Sequence, residues 1–177
     1  MLLKSLFAPV TKRHVESRVL RAVHPLHLFR IIQDVDRYKE FLPLCKESRV
    51  FNIASDGRSF EGTLTVGMPP VFTETYTSKV RIFPETLTVT SESIQSTRFE
   101  SLKSRWTLSK AEDEDQAVTA CHVDFEVEMT VSDPIIVNVL DQVLENVAGR
   151  QVEAFEKRCQ DIPIPQAVLD TIRMESL

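Results

Sequence analysis

The side chains best able to do chemistry are four histidines, at positions 14, 24, 27 and 122, and three cysteines, at positions 45, 121 and 159. Catalysis needs a nucleophile, a base or a metal within reach of an orienting partner. His24 and His27 stand three positions apart at a helix start and could share a face, but no cysteine or carboxylate lies at zinc-ligand spacing beside them. The sequence also contains no GxSxG, P-loop or GxGxxG motif. It therefore predicts neither catalytic residues nor a metal site.

The cysteines are odd in number and none are spaced as CxxC, so a disulfide scaffold is not expected and a reducing compartment is the default. Cys121 alternates with apolar residues in a strand-like run, and Cys159 lies on an apolar helical stripe. Both are expected to be buried, unreactive thiols. His122 falls on the polar face of the same strand and is expected at the surface.

Composition indicates one globular domain. The chain has 177 residues, of which 42% are hydrophobic and 27% charged, with a net charge of −5. An acidic chain is a poor candidate for nucleic-acid binding, which requires a basic face against the phosphates. No stretch approaches the roughly 20 consecutive apolar residues of a membrane-spanning helix.

The two ends of the chain are expected to differ from the domain at residues 14–161. Residues 1–13 are basic, with no acid before Glu16, and are predicted to be flexible. They resemble the remnant of a mitochondrial targeting segment, although an untargeted basic end fits equally well. Residues 162–177, which contain Pro163 and Pro165, are predicted to be a loose tail.

Hydrophobic periodicity predicts an α+β order of elements. A first strand at 16–23, with Val15, Val19 and Val23 among the apolar positions in and beside it, precedes helices at 25–34 and 36–42. The period then changes to two, and the predicted strands lie at 59–68, 72–82, 86–93, 98–109 and 117–131, after a strand region that begins near residue 46. Asp133-Pro134 opens a long helix that runs to about residue 160, about 40 Å at 1.5 Å per residue.

The apolar faces predict how these elements pack. Phe125 and Val127 lie on the apolar face of the last strand, and Leu140, Val143 and Leu144 lie on the broad stripe of the long helix. Only this helix is large enough to cover the concave face of a curved sheet. We therefore expect about six or seven antiparallel strands around one long helix, with a ligand cavity between them.

One segment resembles a known family. Residues 34–45 resemble the pattern V-D-x-Y-x-x-F-L-P-x-C of the coenzyme Q-binding family of START-like (helix-grip) proteins. The matching residues are Val35, Asp36, Tyr38, Phe41, Leu42, Pro43 and Cys45. Further segments are similar to the same family, so the resemblance spans roughly residues 15–160. These segments are 64–67, 76–80, 99–102, Trp106, Phe125 and 154–158. Val71 and Phe72, after Pro69-Pro70, are either an exposed apolar tip suited to membrane contact or the start of a strand.

The resemblance implies a non-catalytic chaperone that binds ubiquinone as its ligand and supports respiration and quinone biosynthesis. It also implies a mitochondrial location on the matrix side of the inner membrane (cytoplasmic in a bacterium), with peripheral membrane contact. Two alternatives stay open: a cyclase- or aromatase-like enzyme on the same fold, and a module that contacts ribosomes or proteins, as bacterial relatives do.

The candidate ligand-binding residues come from three parts of the chain. Tyr38, Phe41 and Leu42 are expected at the cavity mouth, although each could be an ordinary core residue. The walls are expected to consist of Leu64, Val66, Phe125 and Val127 from the sheet and of Leu140, Val143 and Leu144 from the long helix. Tyr76, Ser78 or Trp106 could donate hydrogen bonds to a quinone head if their side chains point inward.

Overall fold

The computed structural model describes residues 7–68, Pro70, 72–112 and 119–175. Seven antiparallel strands form one sheet in the order β1-β7-β6-β5-β4-β3-β2. The strands are β1 (Val10–Arg21), β2 (Cys45–Phe51), β3 (Ser59–Met68), β4 (Phe72–Phe83), β5 (Thr88–Gln95), β6 (Ser101–Ala111) and β7 (Ala120–Val131). The helices are α1 (Pro25–Gln33), α2 (Tyr38–Phe41), α3 (Pro134–Asp161) and α4 (Gln166–Glu175). The predicted α+β helix-grip architecture is confirmed.

Helix α3 begins where the sequence places it. The Asp133 carboxylate accepts the backbone N–H of Ile135 at 2.9 Å, and Pro134 occupies the first turn, where its missing N–H costs nothing. One face of the helix is buried along its whole length against the concave side of the sheet. Its buried residues are Ile136, Leu140, Val143, Leu144, Ala148, Val152, Phe155 and Cys159.

Strand β7 confirms the period-two pattern, since Val123, Phe125 and Val127 are buried and point toward α3. The three cysteines are free and buried. Burial raises the pKa of the Cys45 thiol to about 11 and the pKa values of Cys121 and Cys159 to about 12. Such thiols stay protonated at neutral pH and are poor nucleophiles.

Strand β1 differs from the expected pattern. It begins at Val10, and Val15 and Val19 are 47% and 54% exposed. In the pairing register Glu16 lies opposite Phe125, so the even-numbered residues of β1 share the concave face with the apolar residues of β7. His14, Glu16 and Arg18 therefore lie on the side that faces α3.

The ends of the chain also differ from expectation. Residues 10–13 belong to β1 and are not a flexible end, because β1 pairs with β7 over its full length. The prediction of a loose tail is wrong for Gln166–Glu175, which form α4, and Val168 is only 2% exposed. The imidazole Nε2 of His27 lies 3.1 Å from the carbonyl oxygen of Ile162, which ties the start of this segment to α1.

Residues 1–6 lie outside the described part of the chain. So do positions 69 and 71 of the segment considered as an apolar tip, while Phe72 begins β4. Across the described residues, no helix has both the length and the apolar character needed to cross a membrane.

Candidate ligand-binding cavity

A cavity of about 180 Å³ lies between the concave face of the sheet and α3. Alternate residues of β3 to β7 point into it because side chains of a strand alternate between the two faces of the sheet. At the packed side of the cavity the indole of Trp106 stacks on Phe125 with ring centroids 4.3 Å apart, and Phe155 meets the same indole edge-on at 4.9 Å. Pro43 and Arg150 are wall residues that are exposed, so the wall reaches the surface beside them. We call this place the rim.

Most of the predicted ligand-binding residues lie in the wall. They are Tyr38, Leu42, Leu64, Val66, Tyr76, Trp106, Phe125, Val127, Val143 and Leu144. Their contact with a ligand stays a prediction. The wall is apolar over most of its area, as an apolar ligand requires.

Phe41 and Leu140 are not in the wall. The Phe41 ring instead packs edge-on against the Phe155 ring, with ring centroids 5.1 Å apart. The guanidinium of Arg158 lies 5.1 Å from the centre of the Phe41 ring. Leu140 is fully buried in the packed core under α3. The sequence correctly placed both residues on apolar faces. The spacing of apolar residues, however, does not distinguish the wall of a cavity from a filled core.

Several wall residues were not predicted. They are Val35, Pro43, Leu44, Cys45, Gly62, Gly67, Val80, Val89, Ser91, Phe99, Leu102, Ser104, Met129, Val147, Arg150 and Gln151, besides Ser78, which was considered only as a donor. Val80 shares the inward alternation of Tyr76, and Phe99 belongs to a segment with family resemblance, so both carried a usable signal. Arg150 and Gln151 carried none, since a polar residue on a helix is expected to face solvent.

Tyr38 is a structural part of the wall. Its hydroxyl donates a hydrogen bond to the carbonyl oxygen of Ile32, and its ring meets Phe155 edge-on at 5.3 Å. Burial raises the pKa of Tyr38 well above that of a free phenol. This hydroxyl is therefore occupied in holding α1 to α2.

The Tyr76 hydroxyl is unoccupied. It forms no hydrogen bond within the described residues, and the Tyr76 ring is fixed by an edge-on contact with Phe99 at 5.3 Å. Burial raises the pKa of Tyr76 well above its usual value, so the phenol remains a protonated donor. The Ser78 hydroxyl and the indole N–H of Trp106 also lack a hydrogen-bond partner in the part of the chain that is described. These three neutral groups can all donate to a ligand.

Acid–base chemistry has little support in this cavity. The wall, as far as the structure describes it, contains no histidine, aspartate or glutamate, and both tyrosines and Cys45 have raised pKa values. A general base must be available near the operating pH. Nor do three or more metal-ligating side chains converge anywhere in the described residues. His24 instead caps α1, its Nδ1 accepting the N–H of Leu26 at 3.2 Å.

A curved antiparallel sheet closed by one long helix over an apolar cavity defines a helix-grip ligand-binding domain. The chain belongs to the polyketide cyclase/dehydrase and lipid transport family, whose model matches residues 22–156. The family resemblance of residues 34–45 is therefore confirmed.

Two curated relatives match most of the chain. It is 23% identical over 155 residues to the mitochondrial coenzyme Q-binding protein of Dictyostelium discoideum, covering 87% of this chain and 73% of the relative. It is 28% identical over 137 residues to the mitochondrial coenzyme Q-binding protein of Schizosaccharomyces pombe, covering 77% of this chain and 80% of the relative. The Zhui aromatase/cyclase from Streptomyces sp. R1128 superposes with a TM-score of 0.71 at 11% sequence identity, over 85% of this chain and 94% of the aromatase/cyclase chain. This superposition shows that the two chains share a fold.

Proposed function

We propose that this protein binds a hydrophobic quinone of the coenzyme Q type and carries or chaperones it without chemical change. The observation that carries the proposal is the cavity itself, an apolar space with three free neutral donors and no acid–base pair in its described wall. The names of the two curated relatives, both coenzyme Q-binding proteins, support the same ligand.

The size of the cavity suits the quinone ring. An apolar cavity of about 150 Å³ holds a benzene molecule, and this one measures about 180 Å³. A quinone ring therefore fits, whereas a long isoprenoid tail does not fit beside it. We infer that the tail leaves the cavity past the rim at Pro43 and Arg150.

The wall offers the interactions that such a ligand needs. The quinone carbonyl oxygens are acceptors, and Tyr76, Ser78 and Trp106 present donors with no competing partner. Apolar burial is worth about 25 cal/mol per Å², so the ring and the first part of the tail supply most of the affinity. No charge on the ligand is required.

The cyclase-like alternative has no comparable support. A cyclase on this fold requires polar groups that can move protons inside the cavity. The described wall presents hydroxyls, an indole, the Cys45 thiol, the Gln151 amide and the exposed Arg150 guanidinium, with no carboxylate or imidazole among them. The aromatase/cyclase neighbour shares the fold at 11% identity, which does not extend to its activity. No described feature favours ribosome or protein contact either.

We further propose that the protein acts on the matrix side of the mitochondrial inner membrane, in support of respiration and quinone biosynthesis. Both curated relatives are named as mitochondrial. Ile94 and Ile135 are 55% and 70% exposed, which suits peripheral contact with a bilayer. The inner membrane is where a water-insoluble respiratory quinone would be collected or delivered.

Lipid extraction followed by mass spectrometry tests the proposal. Protein purified from a quinone-producing host should carry an extractable quinone at a substantial fraction of one per chain. Leu64→Glu places a charge in the wall and should abolish the bound quinone, because an unpaired charge in an apolar site costs several kcal/mol. Thr65→Glu is the matched control, since the adjacent residue on β3 points to the opposite face of the sheet.

Thermal melts and circular dichroism must show that both variants fold. Quinone lost from Leu64→Glu and retained by Thr65→Glu supports binding in the cavity. Retention by both variants, or absence of any quinone from the wild type, would contradict it. Leu140 is unsuitable for this test because a charge at that fully buried position would unfold the domain.

A further inference from the structure

Phe99 separates the cavity from a groove on the outside of the molecule. Its side chain is 8% exposed and forms part of the cavity wall, where it contacts Tyr76. It also forms part of the groove, together with Phe7, Ile94 and Pro134. One aromatic ring thus divides two open spaces.

Phe99 lies in the β5–β6 turn, which comprises residues 96–100 between Gln95 and Ser101. Thr97, Arg98 and Glu100 are exposed, so the ring is the buried member of an otherwise solvent-facing segment. At its far end the turn is held by Glu100, whose backbone N–H donates to the carbonyl oxygen of Thr130 at 2.9 Å and whose carboxylate accepts the Ser132 hydroxyl. Between Ser96 and Phe99 the contacts are the Phe99 ring and the bonds described next. Exposed turns with few buried contacts are the parts of a fold that open most easily.

Glu74 of strand β4 holds this turn in place by hydrogen bonds. Its side chain is 2% exposed, and its Oε1 accepts hydrogen bonds from the Ser96 hydroxyl at 3.2 Å and from the backbone N–H and hydroxyl of Thr97 at 2.9 and 3.1 Å. The Arg98 Nε lies 3.7 Å from Oε2. Ser96 Oγ in turn accepts the backbone N–H of Phe99 at 3.3 Å. A continuous set of hydrogen bonds runs from Glu74 to the backbone that carries the ring.

The position of Glu74 in the sheet makes this arrangement notable. Glu74 lies opposite Val66 and has the same inward alternation as Tyr76 and Ser78, so a carboxylate occupies the part of the concave face, on β3 and β4, that is otherwise apolar or neutral. Burying a carboxylate is costly unless it is hydrogen-bonded. Within the described residues its hydrogen bonds all go to Ser96 and Thr97. Each of these hydrogen bonds can be exchanged for one to water at a modest net cost, so the contact between Glu74 and the turn can open and re-form.

We propose that the β5–β6 turn is a movable wall of the cavity through which the ligand is exchanged, and that Glu74 is the positioning residue that holds it closed. Phe99 is the side chain that blocks the passage. This inference rests on the proposed quinone-binding function. It adds a second route, separate from the rim, that opens between exposed apolar side chains at Ile94 and Phe7.

Exchange kinetics of the full chain test the proposal. Trp106 is the only tryptophan and lies in the wall, so a short-tailed ubiquinone with two isoprene units should quench its fluorescence on binding. Stopped-flow mixing then gives the association and dissociation rate constants. Glu74→Ala should raise both by at least about tenfold, the effect of losing about 1.4 kcal/mol of closing interactions. The Kd should change by less than about threefold, because the contacts of the bound ligand remain.

Two variants distinguish positioning from general damage. Glu74→Gln keeps a carbonyl oxygen that can accept the bonds of Oε1, and should restore rates near those of the wild type. Thr75→Ala removes a hydroxyl that bonds to Thr65 at 2.8 Å on the opposite face, and should leave both rates unchanged. If Glu74→Ala does not fold, the double variant Ser96→Ala with Thr97→Val removes the hydroxyl partners from the exposed turn instead.

The outcomes separate the two proposals. Faster exchange at nearly constant Kd, rescued by Glu74→Gln, supports the movable wall. Wild-type rates in a folded Glu74→Ala or Ser96→Ala/Thr97→Val protein would overturn it and leave quinone binding intact. Absence of quenching in the wild type would overturn the proposed function itself.

Discussion

The concave face of the sheet has two unlike sides, and both carry polar residues under α3. On the β1 side, Glu16 accepts a hydrogen bond from Arg18 and lies 3.4 Å from the His14 imidazole, while Arg18 reaches Glu153 of α3 at 3.3 Å. On the β3–β6 side, Tyr76, Ser78 and Trp106 have no hydrogen-bond partner within the described residues. Polar groups that are satisfied by one another hold the helix on the sheet. Polar groups left open beside an empty space are available to a ligand.

Among the predicted effects of mutation on the free energy of unfolding, the largest should occur at the packed side of the cavity. Phe155→Ala removes a fully buried ring that meets Tyr38, Phe41 and Trp106 edge-on. We expect the free energy of unfolding to fall by about 3–5 kcal/mol. Urea denaturation followed by Trp106 fluorescence measures this change.

Leu64→Ala is the comparison on the open side. Leu64 is half-buried beside the cavity, so its removal should cost less than about 2 kcal/mol, below the range of about 2–5 kcal/mol for leucine-to-alanine changes in a packed core. Equal costs at the two positions would mean that the open side is packed as tightly as the core.

A hydroxyl on the open side should affect binding more than stability. Tyr76→Phe removes a donor that has no protein partner, so the unfolding free energy should change little. If the donor bonds a quinone carbonyl, the Kd should rise by roughly 3- to 10-fold, the effect of about 1 kcal/mol. Fluorescence titration with the short-tailed ubiquinone gives this value.

Tyr38→Phe reverses the pattern. Its hydroxyl already donates to the carbonyl oxygen of Ile32, so its loss should lower the unfolding free energy by about 1 kcal/mol and leave the Kd nearly unchanged. A Kd that responds to Tyr38→Phe and not to Tyr76→Phe would contradict the division between satisfied and open groups.

The charged network on the β1 side should make stability depend on pH. Desolvation alone would raise the pKa of Glu16, but its hydrogen bonds to Arg18 and His14 outweigh it and place the pKa below the usual 4.5. A group whose pKa is lower in the folded state stabilises the fold at pH values above its unfolded pKa and loses that contribution as the pH falls through its folded pKa.

Thermal melts of the wild type and of Glu16→Gln from neutral pH to pH 3 check this sign. The wild type should be the more stable at neutral pH, by about 2–4 °C in Tm for each kcal/mol contributed. The difference should shrink once the pH drops below about 4.5. A difference that grows on acidification would mean that the carboxylate is not stabilised by its neighbours.

Much of this fold could be predicted because its signals are local. The alternation of β7, the Asp133-Pro134 start of α3 and the apolar stripe of that helix are each read from adjacent residues. The same signals placed part of the cavity wall, since inward-facing positions follow from period two and from the helical stripe.

The features that could not be predicted depend on residues far apart in the chain. The polar inner face of β1 is tolerated because Arg18 meets Glu153, 135 positions away, and nothing near Arg18 in the sequence indicates that partner. Helix α4 is held by burial of Val168, which a ten-residue pattern after Pro163 and Pro165 does not reveal. Phe41 and Leu140 were assigned to the cavity because whether an apolar face is filled or empty depends on the volumes of side chains from several elements.

The smallest effect is expected at Arg150, the charged residue of the rim. Its guanidinium is exposed and forms no ion pair within the described residues, so Arg150→Ala should leave the fold intact. A neutral quinone offers no charge for it to meet, and we expect the Kd of the short-tailed ubiquinone to change by less than about twofold. Fluorescence titration at low and high salt measures this. A tenfold rise in Kd for this neutral quinone would instead mean that Arg150 contacts the ligand directly, and would contradict the expectation.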